Sequence, residues 1–165
     1  MEWILLSEKI IWFGFAAIGF AILFNVPARA LPAVFIMGAT GGMAKVVLMK
    51  FGVDIILATF AGATIIGIFS VYAAHIKHTP PLIFSIPSVI PMVPGAFAYR
   101  MMLGFINLSG NQTDGYSQIL ESTVNNGLKT FFILLCLAAG VSFPMLITRK
   151  ESVKDFRIRK TKSKV

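Results

Sequence analysis

PPLIFSIPSVIPMVPGAFAYR, residues 80–100, decides what kind of protein this chain makes. The stretch is apolar enough to lie in a membrane, yet Pro87, Pro91 and Pro94 interrupt it and Gly95 follows directly. A proline has no backbone N–H and presses on the carbonyl four residues earlier. In a continuous helix these three would free the carbonyls of Ile83, Pro87 and Ile90. Hydrocarbon offers such groups no partner, so a broken helix persists only where protein buries it or where it lines a wet cavity. After Gly95 the chain can restart as a helix whose first N–H groups, at Ala96, Phe97 and Ala98, point at the break. Arg100 follows about one turn on. Free carbonyls, a helix N-terminus and a cation at membrane depth are the parts of a transporter's solute site. A kinked packing helix is the plainer alternative, because proline is commoner in membrane helices than in soluble ones.

The rest of the chain fits a membrane setting. Its 165 residues are 56% hydrophobic and only 13% charged, with a mean hydropathy of +0.80. A soluble domain is nearer half apolar and a quarter charged. Little is left over for a soluble catalytic domain beside the spans. The net charge of +8 is concentrated at the C-terminus, where eight basic and two acidic residues from Arg149 onward hold +6 of it. A basic tail after a last span is a topology signal and a contact for anionic lipid, and argues against nucleic acid as the partner. Cys136 is the one cysteine and lies in an apolar run, which suits an inert buried thiol. The opening MEWILLSEKI lacks the basic start and small-residue cleavage site of a secretory signal.

The expected architecture is an all-α integral membrane protein of five transmembrane helices, the fourth broken by prolines. The spans fall at about 10–26, 31–49, 55–74, 81–108 and 128–148, with a basic cytoplasmic tail at 149–165. Asn25-Val26-Pro27 ends the first span, and Gly38-Ala39-Thr40-Gly41-Gly42 gives the second a small-residue patch that lets another helix approach closely. Asp54 is placed to cap the third. Polar residues 109–126 read as the one long loop. With the tail in the cytoplasm, Arg29 and Lys77 also fall inside and the loop, free of Lys and Arg, falls outside. Lys9, Lys45, Lys50 and Lys129 oppose that assignment and are outweighed by the tail. The N-terminus is then outside. An odd span count allows a second unit to sit beside the first in inverted orientation, and that unit would be another copy or another protein.

GFAILFNVPARAL at 19–31, the small-residue stretch leading to Lys45, and SVIPMVPGAFAY at 88–99 resemble the threonine/serine exporter family. The closer resemblance is to its small, separately encoded subunit. NNGLKTFFILLCLAAGVSFP at 125–144 is similar in layout to that subunit's last span. The resemblance implies a plasma-membrane exporter of small hydrophilic metabolites, threonine and serine or, in the two-subunit type, succinate-like dicarboxylates. It also implies a larger partner subunit with related spans and a hydrophilic N-terminal portion, fused to the small one in some members.

The candidate solute-binding residues are Arg100, Lys45, Tyr99 and Asn25. A cation within a span costs about 2.5–3.5 kcal/mol on insertion scales, so it normally has a partner or a purpose. Arginine can hold a carboxylate by paired hydrogen bonds, although Arg100 could also reach the outer headgroups. Lys45 can neutralise a carboxylate or snorkel. Tyr99 can donate to a carboxylate or serve as a belt aromatic. Asn25 can bond a solute, though terminating its helix is the favoured role. Pro87, Pro91, Pro94 and Gly95 are expected to shape the break. Thr40 and Thr64 read as packing hydroxyls. His75 and His78 make a poor metal site without cysteines or an acidic neighbour, and no cofactor is expected. No phosphate-binding glycine loop, nucleophile elbow or HExxH pattern gives enzymatic chemistry a foothold. A scaffold subunit that stabilises a transporting partner is the alternative function.

Overall fold

The structure, a computed structural model, describes residues 2–110 and 115–148, with side chains from Ser7 onward. The basic tail and its expected lipid contact lie outside the described residues. Six α-helices follow in order: α1 (Glu2–Leu23), α2 (Leu31–Lys50), α3 (Ile55–Lys77), α4 (Leu82–Val89), α5 (Gly95–Ser109) and α6 (Tyr116–Thr148). Single 3-10 turns at Ala28–Ala30 and Ile90–Met92 precede α2 and follow α4. The described residues contain no strand.

Each early turn is fixed by one residue in the left-handed region. Asn25 (φ 55°) closes α1, with its N–H on the Ile22 carbonyl at 3.0 Å and the Val26 N–H on Ala21 at 2.9 Å. That paired pattern satisfies carbonyls the helix end would otherwise orphan. Gly52 (φ 82°) closes α2 in the same way. Asp54 then caps α3, its carboxylate accepting from the Ile56 N–H at 3.1 Å, as expected.

Small residues bring the helices together. Gly38 and Gly42, one turn apart on α2, face α1, where an added Cβ would stand 2.6 Å from Ala17 and 2.4 Å from the Phe13 ring. Gly41 faces the other way and meets Gly62 of α3, whose own added Cβ would lie 2.7 Å from the Gly41 carbonyl oxygen. Gly140 of α6 packs on Ala63. One apolar cluster joins α1 to α4 through Ala17, Val34, Met37, Ala74 and Phe84. A second joins α3, α6 and the break through Ala63, Ile66, Met92, Ile133 and Leu137.

Among the described residues three helices are long and apolar enough to cross a membrane, and α4 with α5, bent by 57° at the break, pass the same test as a pair, which makes four if the pair is one span. Large apolar side chains such as Trp12, Leu57, Ile68, Phe131 and Leu135 lie exposed on the outside of the bundle. Such a surface suits hydrocarbon, and the chain is an all-α, multi-pass membrane protein.

The polar stretch expected as a long loop is helical from Tyr116 onward. Ser122 and Thr123 both donate their hydroxyls to the Ile119 carbonyl of the same helix, at 3.0 and 2.6 Å. One face of it packs on α5, where Gly104 rests on Thr123 and Met101 on Gly127. Polarity outside the apolar run concealed a helix whose partner is α5.

Candidate functional site

The prolines have three different effects. Pro87 sits inside α4 without ending it, so the expected break at that position does not occur. Pro91 lies in the 3-10 turn, which tightens the chain so that the Val93 N–H reaches the Ile90 carbonyl at 2.9 Å. That bond satisfies the carbonyl Pro94 would have freed. The break itself is at Val93 (φ −60°, ψ 135°) and Pro94 (φ −82°, ψ 59°). There the Gly95 N–H turns back onto the Val93 carbonyl at 2.9 Å, the closure of an inverse γ-turn.

In a continuous helix the Ala96 N–H would serve the Met92 carbonyl. The extended Val93 separates them. The Met92 carbonyl instead accepts from the Lys45 ammonium at 3.1 Å, across 47 residues of chain. The first turn of α5 is partly closed, because Phe97 and Ala98 donate to the Pro94 carbonyl at 3.1 and 3.2 Å. Of the three N–H groups expected to face the break, only that of Ala96 has no acceptor among the described residues.

Lys45 arrives there for a reason readable in α2. It lies four residues after Gly41, hence on the same face. Gly41 is the residue that touches Gly62 of α3, and Met92 packs its methyl over that same Gly62. The helix crossing that needs glycine therefore delivers a lysine to the broken backbone. A second ammonium, that of Lys129 on α6, sits 5.7 Å from the centroid of the Phe97 ring in the first turn of α5, within cation–π range.

The other candidates are placed differently. Tyr99 and Arg100 are exposed on α5 and bond to no described residue. Asn25 is at the opposite end of α2, since Leu31 and Lys45 alone are separated by about 21 Å of helix. The structure thus brings together Lys45, Pro91, Pro94 and Gly95, adds Lys129, and leaves Asn25 apart. Lys129 was weighed in the sequence only as a charge opposing the topology. Its proximity to Phe97 follows from the antiparallel packing of α5 on α6, which the loop expectation hid. His75 bonds its own helix, Nδ1 lying 2.8 Å from the Val71 carbonyl, and no group of three or more metal-ligating side chains occurs among the described residues.

The break joins an ammonium, a lone N–H and a sharp bend in a chain of apolar helices. The family model described as Threonine/Serine exporter, ThrE, matches residues 9–147. The chain belongs to the threonine/serine exporter family. This family member is also 33% identical, over 132 residues, to an uncharacterized protein of Haemophilus influenzae, in a match covering 79% of this chain and 43% of the relative. It therefore spans less than half the length of that curated relative. No solved structure matches the family member. Membership makes it a membrane protein of an exporter family.

Proposed function

We propose that the chain is a subunit of a plasma-membrane secondary exporter for small carboxylate metabolites, threonine and serine or succinate-like dicarboxylates, working with a larger partner subunit. The observation that carries this reading is the Lys45 ammonium on the Met92 carbonyl at the break. A backbone carbonyl is a weak anion mimic. A substrate carboxylate is a stronger acceptor for the same ammonium, and the Ala96 N–H lies across the break as a second donor. Arg100 and Tyr99, free of described partners, are available to a solute passing along α5, and Lys129 adds a positive charge beside it. Glu8, Asp54 and Glu121 are exposed; the counter-charge for an ammonium group on the solute is assigned to the partner.

Depth supports the same reading. From Leu82 to Met92 the chain rises about 15 Å, half of a hydrocarbon core of about 30 Å. α5, about 22 Å long, projects about 12 Å along that direction when bent by 57°. Together they make one bent span with its break near the midplane. We take α1, whose 22 residues extend about 33 Å, as a fifth span beside the three long apolar helices and this bent pair. The Lys77 ammonium donates to the Arg29 carbonyl, and a groove joins His75 to Met145 and Thr148. Arg29, Lys77 and Thr148, the residue before the basic tail in sequence, thus share one end, which supports a cytoplasmic C-terminus and an external N-terminus.

The alternative is a scaffold subunit that stabilises a transporting partner. The test is efflux of labelled serine, threonine and succinate from cells making this chain, a candidate larger subunit, or both. Export by the pair that is lost in Lys45→Met but retained by intact complexes supports the exporter. Full export by the Lys45→Met pair supports the scaffold.

A further inference from the structure

A groove of about 380 Å³ lies far from the break, where α3 and α6 finish and α4 begins. Its walls are Val71, Leu82, Met145 and Leu146, with His75 and Thr148 as polar members. Leu82 and Leu146 present about half or more of their surface outward. The volume is at the low end for a small-molecule site, which ordinarily adds a few converging polar groups to its apolar walls. Here the polar members are already engaged. Thr148 donates its hydroxyl to the Pro144 carbonyl at 2.7 Å, and His75 holds Nδ1 against Val71. Of these two polar side chains, His75 still offers its Nε2 to the groove.

The rim is of the opposite character. Lys77 lies two residues beyond His75 on α3 and contacts Arg29, whose guanidinium is exposed. An apolar slot between helix ends, edged by cations at the membrane boundary, is the arrangement that takes acidic lipid headgroups. We propose that this groove binds an anionic glycerophospholipid, one acyl chain lying in the groove against Val71, Leu82 and Leu146 and the phosphate facing His75 and Lys77. The site depends on the chain being a multi-pass membrane protein and not on what it transports.

The experiment uses the full chain in bilayers of phosphatidylcholine mixed with phosphatidylglycerol, one or the other brominated to quench tryptophan. In a Trp3→Phe, Trp12→Phe background, Leu146→Trp reports on one wall of the groove and Leu82→Trp on the other. Leu23→Trp, on the exposed last turn of α1, is the control for that membrane face. The expected result is a preference for phosphatidylglycerol of about fivefold at the groove reporters and none at Leu23. His75→Ala with Lys77→Ala should abolish it. Equal quenching by both lipids at the groove overturns the proposal. So does an equal preference at all three reporters, which would mark a general surface effect. A preference that survives the double substitution also overturns it, since the tail would then be the binding element. Should Leu146→Trp fail to fold, Leu82→Trp gives the same reading.

Discussion

Replacing Lys45 by methionine keeps the length and apolar stem of the side chain and removes its ammonium. The Met92 carbonyl then loses its donor, held at 3.1 Å. It has no replacement nearby, because the extended Val93 has turned the Ala96 N–H away. A hydrogen bond to a charged group contributes about 1.5–3 kcal/mol, and orphaning a buried polar group costs a similar amount. If a substrate carboxylate takes the place of Met92 during transport, the same interaction is missing at that step. At about 1.4 kcal/mol per factor of ten, efflux should fall roughly tenfold to a hundredfold. Lys45→Arg should retain most of it, since a single carbonyl needs a point donor and not a fork. The assay is initial efflux of labelled serine, threonine and succinate, normalised to assembled protein in the membrane, alongside thermal unfolding in detergent. Lys45→Met should lower both efflux and the unfolding midpoint. Efflux at the unmodified rate per assembled complex would refute the assignment of Lys45 to the solute path, whatever the change in stability.

Arg100→Ala should separate the two readouts, leaving the unfolding midpoint unchanged because Arg100 has no described partner, and lowering efflux because a solute on α5 loses a cation. Gly62→Ala places a methyl 2.6 Å from the Met92 side chain and 2.7 Å from the Gly41 oxygen; it should destabilise by about 1–3 kcal/mol, seen as a lower unfolding midpoint together with lost efflux. Pro94→Ala restores a backbone N–H at the break and should straighten the 57° bend, measurable as a longer distance between spin labels at Leu82 and Ser109. Asp54→Ala removes a cap and should cost about 1 kcal/mol of stability with efflux per assembled complex unchanged.

What the sequence made legible was the part governed by local chemistry. Prolines in an apolar run announce a break, Asp before an apolar run announces a cap, and a patch such as Gly38 to Gly42 announces close helix contact. Each depends on residues within a turn or two of one another. The misses depend on partners far away in sequence. Pro87 looked as disruptive as Pro94, but α4 passes through it while buried against its neighbours. Residues 116–126 looked like a loop because they are polar, yet the spacing of Ile119, Thr123 and Thr130 is helical. That face needs α5 beside it to be recognised as a packing surface. Arg100 drew attention because arginine is rare in a span. Lys45 was a candidate too, but its contact with the Met92 carbonyl could not be read without knowing which side of α2 meets α3.

That last point ties the glycines to the break. A helix that carries a donor to a broken backbone must pass close to it, and closeness requires that nothing project between the two. Gly41 and Gly62 supply this by letting α2 and α3 touch through their backbones. Gly62 also leaves the space that the Met92 side chain fills, and so holds the 3-10 turn in place. Lys45, one turn past Gly41, then has its donor at the height of the Met92 carbonyl. Lengthening either glycine side chain would move Lys45 and Met92 apart even though neither was altered. Loss of transport in Gly62→Ala should therefore be relieved by a shorter residue at position 92, such as Met92→Ala, only as far as the Gly41 contact allows. Rescue of stability without rescue of efflux would mean that the lysine must face the carbonyl of a correctly placed break, and that a merely well-packed helix crossing is insufficient.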